Sequence, residues 1–251
     1  MTNCFSGRTA LVTGAGSGIG RAVALAFARE GANVVVAGRT AGPLEEVATE
    51  IEGLGGKALA VTADVSRAAE TQALVTAAVD RFGPLDVAVN NAGVRQAPRR
   101  PGGARLADPP RHQRHRRLPT LQAEIRQMRT QPAGGAIVNV SSNLGIHSHR
   151  PGVAAYAASK AAVTALTRSA ALDHIADGVR INTVSPGPTA TAMSRRPGET
   201  EAQRAARVGN ELPLGRVSAT EEVAAAVLYL ASDEAAPVVG TDLLIDSGAS
   251  L

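Results

Sequence analysis

Tryptophan is absent from this chain of 251 residues, which has only two tyrosines and three phenylalanines. So few aromatic platforms argue against a protein that stacks nucleic-acid bases, despite a formal net charge of +4. The single cysteine, Cys4, excludes an internal disulfide framework and fits a reducing compartment. No apolar run reaches the roughly 18 residues that a membrane span needs. The opening MTNCFSGRTA lacks a signal peptide's apolar segment, so the expectation is a soluble, cytoplasmic protein with neither membrane nor nucleic acid as partner.

The positive charge is local. Residues 97–119 hold seven of the 26 basic residues and one of the 22 acidic ones, leaving the remainder at 19 against 21, a net of −2. Elsewhere, apolar runs alternate with helical patterns, which predicts an α/β fold: a parallel sheet of about seven strands with helices on both faces. The candidate strands are Thr9–Thr13, Asn33–Ala37, Ala58–Thr62, Leu85–Asn90, Ala136–Ser141, Arg180–Val184 and Asp242–Ile245. Leu44, Val47, Ile51 and Leu54 share one helical face, as do Leu121, Ile125 and Met128. The alanine-rich run Ala155–Ile175 predicts a long helix, whereas Ala192–Asn210, polar and interrupted by Pro197-Gly198, reads as a mobile excursion. At 44% apolar composition, a single domain spanning 1–251 can bury one large core.

TGAGSGIG at Thr13–Gly20 follows the apolar run ALV and precedes RAVALAFARE, a strand-to-helix junction suited to a dinucleotide's pyrophosphate. Tyr156 and Lys160, in AYAASK, stand four residues apart and so share one helical face. An ammonium beside a phenol favours the phenolate, which gives a tyrosine a reason to act as acid or base near neutral pH. With NNAG at Asn90–Gly93, the serine pair Ser141-Ser142 and PG at Pro186-Gly187, the chain resembles the classical short-chain dehydrogenase/reductase family over nearly its whole length.

The resemblance implies a single Rossmann-type, doubly wound domain and hydride transfer between a nicotinamide cofactor and a carbonyl or alcohol. It assigns catalysis to Ser142, Tyr156 and Lys160, with the second serine preferred to Ser141. It assigns the cofactor to Gly14, Ser17, Gly18, Ile19 and Gly20 at the pyrophosphate, Asp64 and Val65 at the adenine, and Asn90, Ala92 and Gly93 along the adenosine. Pro186, Gly187, Thr189 and Thr191 fall at the nicotinamide end, where Tyr156 and Lys160 also belong. The end of the second strand chooses the cofactor: Gly38 stands where an NAD-type acid would be, and Arg39 follows, favouring NADP(H) over NAD(H). The family also implies a homo-oligomer, dimer or tetramer, and a substrate-covering flap at Ala192–Asn210.

His147 and His149 have no third ligand nearby and are expected to be solvated; His112 and His115 are discounted likewise, and so are Asp173, His174 and Asp177 at a helix end. No metal is expected. The segment APRRPGGARLADPPRHQRHRRLP at 97–119 departs from the family pattern: it contains five prolines and neither valine nor isoleucine, which opposes a continuous amphipathic helix. The family's fourth catalytic residue, an asparagine, should fall near Gln113–His115 and is absent. RHQRHRRLPT can be encoded so that dropping one nucleotide yields VINVTGVFL, asparagine included, and APRRPGGARL treated likewise yields HLDDLAARDW. This suggests a pair of compensating frameshifts between about Gln96 and Thr120. The other reading is a genuine basic loop for an acidic substrate or carrier protein; if expressed, the segment is expected to be irregular, to weaken the dimer and to lower activity.

Three functions remain open: an NADP(H)-dependent carbonyl reductase or alcohol dehydrogenase, a β-ketoacyl-thioester reductase of the same family, and a catalytically impaired cofactor-binding protein.

Overall fold

The computed structural model describes residues 3–93, 118–191 and 198–251. Most of the anomalous segment, with His112, His115 and the expected asparagine position, lies outside these residues, as does the start of the expected flap.

Seven parallel strands form one sheet in the order β3-β2-β1-β4-β5-β6-β7. They are β1 Thr9–Thr13, β2 Asn33–Gly38, β3 Lys57–Thr62, β4 Val87–Asn90, β5 Gly135–Val140, β6 Val179–Pro186 and β7 Asp242–Ile245. Each predicted strand is present with ends shifted by no more than two residues. The described helices are α1 Gly18–Arg29, α2 Ala41–Gly53, α3 Ala68–Phe82, α4 Leu118–Met128, α5 Ala154–His174, α6 Glu201–Glu211 and α7 Thr220–Ala231. Their placement on both faces gives the doubly wound, Rossmann-type arrangement.

Strand side chains alternate between the faces. Val12, Val34, Val36, Val89, Val138 and Val184 meet α1, α2 and α7 through Val23, Phe27, Leu44, Val47, Val223 and Val227. Leu11, Val35, Ala88, Ile137 and Ile181 meet α3, α4 and α5 through Leu74, Val75, Leu121, Ile125, Met128 and Ala171. The register aligns Thr13, Asn90, Asn139, Thr183 and Asp242 across five neighbouring strands. These residues stand two positions beyond Leu11, Ala88, Ile137 and Ile181 and therefore point to the α3–α5 side. That face turns polar towards the carboxyl ends of the strands.

The expected excursion at 192–210 requires correction, because its second half begins α6. Pro197-Gly198 precedes the helix instead of interrupting it. Thr200 Oγ1 accepts from Gln203 N at 3.2 Å, and Gln203 Oε1 accepts from Thr200 N at 3.0 Å, a reciprocal capping box. Arg207 adds a fork to Glu199, at 2.6 and 3.0 Å, and a contact to Glu211 one turn on.

Candidate active site

The glycine-rich turn is built around close backbone approaches. Gly14 has φ +68°, and a Cβ there would lie 2.9 Å from Ala92 Cα. A Cβ on Gly20 would lie 2.2 Å from the Gly14 carbonyl oxygen, a distance no side chain tolerates. Ser17 is the N-cap of α1 in extended conformation, its side chain makes no capping hydrogen bond, and no acid occupies the first turn. The helix therefore presents backbone donors and the positive end of its dipole to a bound anion. Ile19 lies in that first turn, and Thr191 packs its Cγ2 against Gly18, 3.3 Å from where a Cβ would be. These features suit a pyrophosphate crossing the helix N-terminus.

The NNAG turn is stitched to this loop by Asn91, which the family assignment passes over. Its Nδ2 donates to the carbonyls of Thr13 at 3.1 Å and Gly14 at 3.2 Å. Thr13 Oγ1 in return accepts from the backbone N–H groups of Asn91 and Ala92. Gly93 is exposed beyond them. Asn90 turns the other way: buried, it donates from Nδ2 to Glu124 Oε2 at 2.7 Å. Glu124 is fully buried on α4, and its Oε1 has no partner among the described residues. Burial raises its pKa to about 7, against a smaller lowering by the Asn90 hydrogen bond.

Arg39 is exposed just past the end of β2. Gly38 has no need of glycine's conformational freedom, and a side chain there would meet the Leu44 methyls at an ordinary 3.4 Å. Asp64 Oδ1 accepts from Ser66 N and Ser66 Oγ, fixing the turn after β3, and Val65 is buried beside it. Beyond β6, a Cβ on Gly187 would lie 2.4 Å from Asp246 Cβ, so this turn admits only glycine. Thr189 Oγ1 donates back to Gly187 O, and the Pro188–Ala190 backbone pairs with Ser218.

α5, which carries Tyr156 and Lys160, is fastened through Lys160 to the end of β5, from which Ser141 and Ser142 follow. Ser141 Oγ donates to Lys160 O at 3.0 Å, so this hydroxyl is committed to the helix backbone. Ser142 Oγ accepts from Leu144 N at 3.2 Å, which leaves its proton for another acceptor. Lys160 Nζ donates to Ser141 O at 2.9 Å and Val140 O at 3.2 Å, and lies 5.6 Å from the Tyr156 ring centroid. The helix thus grips the end of β5 from both sides.

His147 is not solvated as expected. Its Nε2 lies 3.2 Å from Asp242 Oδ2, an oxygen that also accepts from Thr164 Oγ1 at 3.1 Å. A charged partner buried on a distant strand outcompetes water, and sequence spacing gives no sign of it. Among the described residues, no group of three or more His, Cys, Asp or Glu side chains could hold a metal ion. Nor is any described helix long and apolar enough to cross a membrane.

The family model described as enoyl-(acyl carrier protein) reductase matches residues 14–250. A short chain dehydrogenase/reductase, astE, from Aspergillus oryzae is 38% identical over 98% of this chain and 96% of its own length. A cyclohexanol dehydrogenase from an Acinetobacter species is 36% identical over 98% and 96%. The crystal structure of a Burkholderia cenocepacia short-chain dehydrogenase in complex with NADP superposes with a TM-score of 0.85 at 30% identity, covering 98% of this chain and 99% of that one. With the family model matched over residues 14–250 and relatives above 35% identical along nearly the whole length, the chain belongs to the classical short-chain dehydrogenase/reductase family, oxidoreductases that act on CH–OH groups.

Proposed function

We propose that this protein transfers hydride between NADP(H) and a secondary alcohol or its ketone, with Tyr156 as general acid and base. What supports this reading is Lys160, whose Nζ lies 5.6 Å from the Tyr156 ring centroid and is held to the carbonyls of Val140 and Ser141 next to Ser142, a residue whose Oγ proton is left available by its Leu144 contact. In reduction, the Tyr156 hydroxyl donates a proton to the carbonyl oxygen as negative charge gathers there, and Ser142 donates a second hydrogen bond to the same oxygen. In oxidation, tyrosinate takes the alcohol proton as the carbinol C–H bond breaks. Lys160 sets its charge beside the Tyr156 ring, 5.6 Å from the centroid. The nicotinamide supplies or accepts the hydride when bound.

The cofactor would lie along Gly14, Ser17, Gly18, Ile19 and Gly20, with its adenine between Asp64 and Val65 and its adenosine against Ala92, Gly93 and only the backbone of Asn90, whose side chain is committed to Glu124. Its nicotinamide end would reach Pro186, Gly187, Thr189, Thr191, Tyr156 and Lys160. The exposed Arg39 after Gly38, with no carboxylate at the end of β2, supports NADP(H). Titration with NADPH and NADH, followed by a panel of alicyclic alcohols and ketones, tests the proposal. Tighter binding of NADPH with turnover of at least one secondary alcohol is expected; NADPH binding without turnover anywhere in the panel would leave only a cofactor-binding protein. Gly38→Asp, for which there is room, should reverse the preference towards NADH.

The acyl-carrier description of the matched family model favours a second reading, β-ketoacyl-thioester reduction. Acetoacetyl thioesters in the same panel distinguish it. The long α5 buries only Thr164, Thr167, Ala170 and Ala171 and leaves Leu172 exposed, which supports a homo-oligomer. The frameshift account of 97–119 stands as a proposal about the gene. Reading the nucleotides tests it: stop codons in the shifted frame, or no apolar helix there, would end it.

A further inference from the structure

The loop 143–150 joins the two catalytic segments, with Ser142 just before it and Tyr156 six residues beyond it. It lies directly on α5. A Cβ on Gly145 would sit 3.1 Å from Ala161 N, 3.3 Å from Ala157 O and 3.4 Å from Lys160 Cβ. Inside the loop, Gly145 N donates to Ser148 O and Ser148 N to Asn143 O, so it is tied together by its own backbone. Its Leu144 N–H in turn orients Ser142 Oγ.

His147 fastens this unit from below. Asp242 Oδ2 receives His147 Nε2 from the loop and Thr164 Oγ1 from α5, two turns along from Tyr156 and one from Lys160. The Asp242 side chain is 2% exposed, and its Oδ1 has no partner among the described residues. A carboxylate so buried depends heavily on the donors it has. An imidazole beside a carboxylate carries its proton on the facing nitrogen, so His147 donates whether neutral or charged.

We propose that His147 is a positioning residue. Through the one oxygen Asp242 Oδ2 it ties the loop that orients Ser142 to the helix that carries Tyr156 and Lys160, and so sets the spacing of the catalytic groups. The turnover part of this proposal rests on the alcohol dehydrogenase reading above; the tether does not.

His147→Ala and His147→Gln in the full chain test it. Three measurements apply: cyclohexanol oxidation with NADP+, NADPH affinity, and backbone amide hydrogen exchange. His147→Ala should accelerate exchange across 143–150 while leaving β1 unchanged, and should lower kcat about tenfold, a cost typical of a small misplacement. NADPH affinity should stay within about twofold. His147→Gln, whose amide still donates, should restore most of the kcat, which a general loss of packing would not allow. Unchanged exchange across 143–150 in His147→Ala would overturn the proposal, and so would a glutamine variant as impaired as the alanine one. If the wild type oxidises no alcohol, the functional reading falls and the exchange measurement alone decides the tether.

Discussion

The two faces of the sheet solve different problems. Under α1, α2 and α7, valines from five strands pack against valine, leucine and phenylalanine, and the apolar layer runs through to the strand ends. Under α3, α4 and α5 the layer along β1, β4, β5 and β6 is apolar only as far as the row Leu11, Ala88, Ile137 and Ile181, whereas Ala37 continues it on β2. One step on, the row Thr13, Asn90, Asn139, Thr183 and Asp242 is polar. The side chains of Thr13, Asn90, Asn139 and Asp242 reach Asn91 and Ala92, Glu124, Thr167, and the pair His147 and Thr164. The first face supplies stability by burial. The polar row fixes loops and helix faces by direction, since a hydrogen bond specifies geometry where apolar contact does not. Ser141 and Ser142 follow Asn139 of that row by two and three residues, and Lys160 Nζ reaches the carbonyls of Val140 and Ser141.

The largest break in this comparison should come from Gly20→Ala, where the new methyl would overlap the Gly14 carbonyl. Overpacking of about 3 kcal/mol is expected, or about a hundredfold loss in NADPH affinity, measured by fluorescence titration. Next, Ile181→Ala, in the apolar row, should lower stability by about 2–5 kcal/mol in denaturant unfolding with little change in kcat of the folded enzyme. Asn139→Ala, one row higher, should invert that pattern. It frees Thr167 Oγ1 on α5, and kcat should fall more than stability. Equal effects of the two variants on both quantities would erase the distinction between the rows.

Glu124 gives the comparison a pH dependence. Its folded pKa of about 7 lies above the ordinary carboxyl value of 4.5, so folding is favoured while the group is protonated. That contribution is complete below pH 4.5 and is lost as pH rises through about 7, amounting to about 3 kcal/mol. Glu124→Gln should flatten the fall in unfolding free energy between pH 5 and pH 8 to which Glu124 contributes. A variant with the wild-type slope would show that Glu124 is ionised throughout. The smallest effect is expected from Thr183→Val. Its Oγ1 has no partner among the described residues, and its removal should change stability by less than about 1 kcal/mol.

Strands, helices and the glycine turns were legible because they depend on near neighbours in sequence: alternation, apolar stripes, and glycine at strand-to-helix junctions. The polar row was not, since register across five strands is a tertiary property. Two of its features nonetheless left signals. Glu124 stands three residues after Leu121 and four before Met128, on the same stripe that Ile125 marks as buried. Thr200 and Gln203 have capping-box spacing, which announces α6 despite the polar composition around it. His147 left none, because its partner lies 95 residues away. Asn91 was hidden by its own motif: adjacent asparagines look equivalent, yet one stitches the glycine loop and the other enters the core.

In the proposed reaction Tyr156 exchanges the proton while hydride moves. Cyclohexanol oxidation with NADP+, followed through the near-ultraviolet absorbance of the reduced nicotinamide, should be compared for the wild type and Tyr156→Phe. The account predicts a kcat about 10²–10⁴ lower in the variant, with NADPH affinity nearly unchanged. A Tyr156→Phe enzyme turning over at the wild-type rate would contradict it.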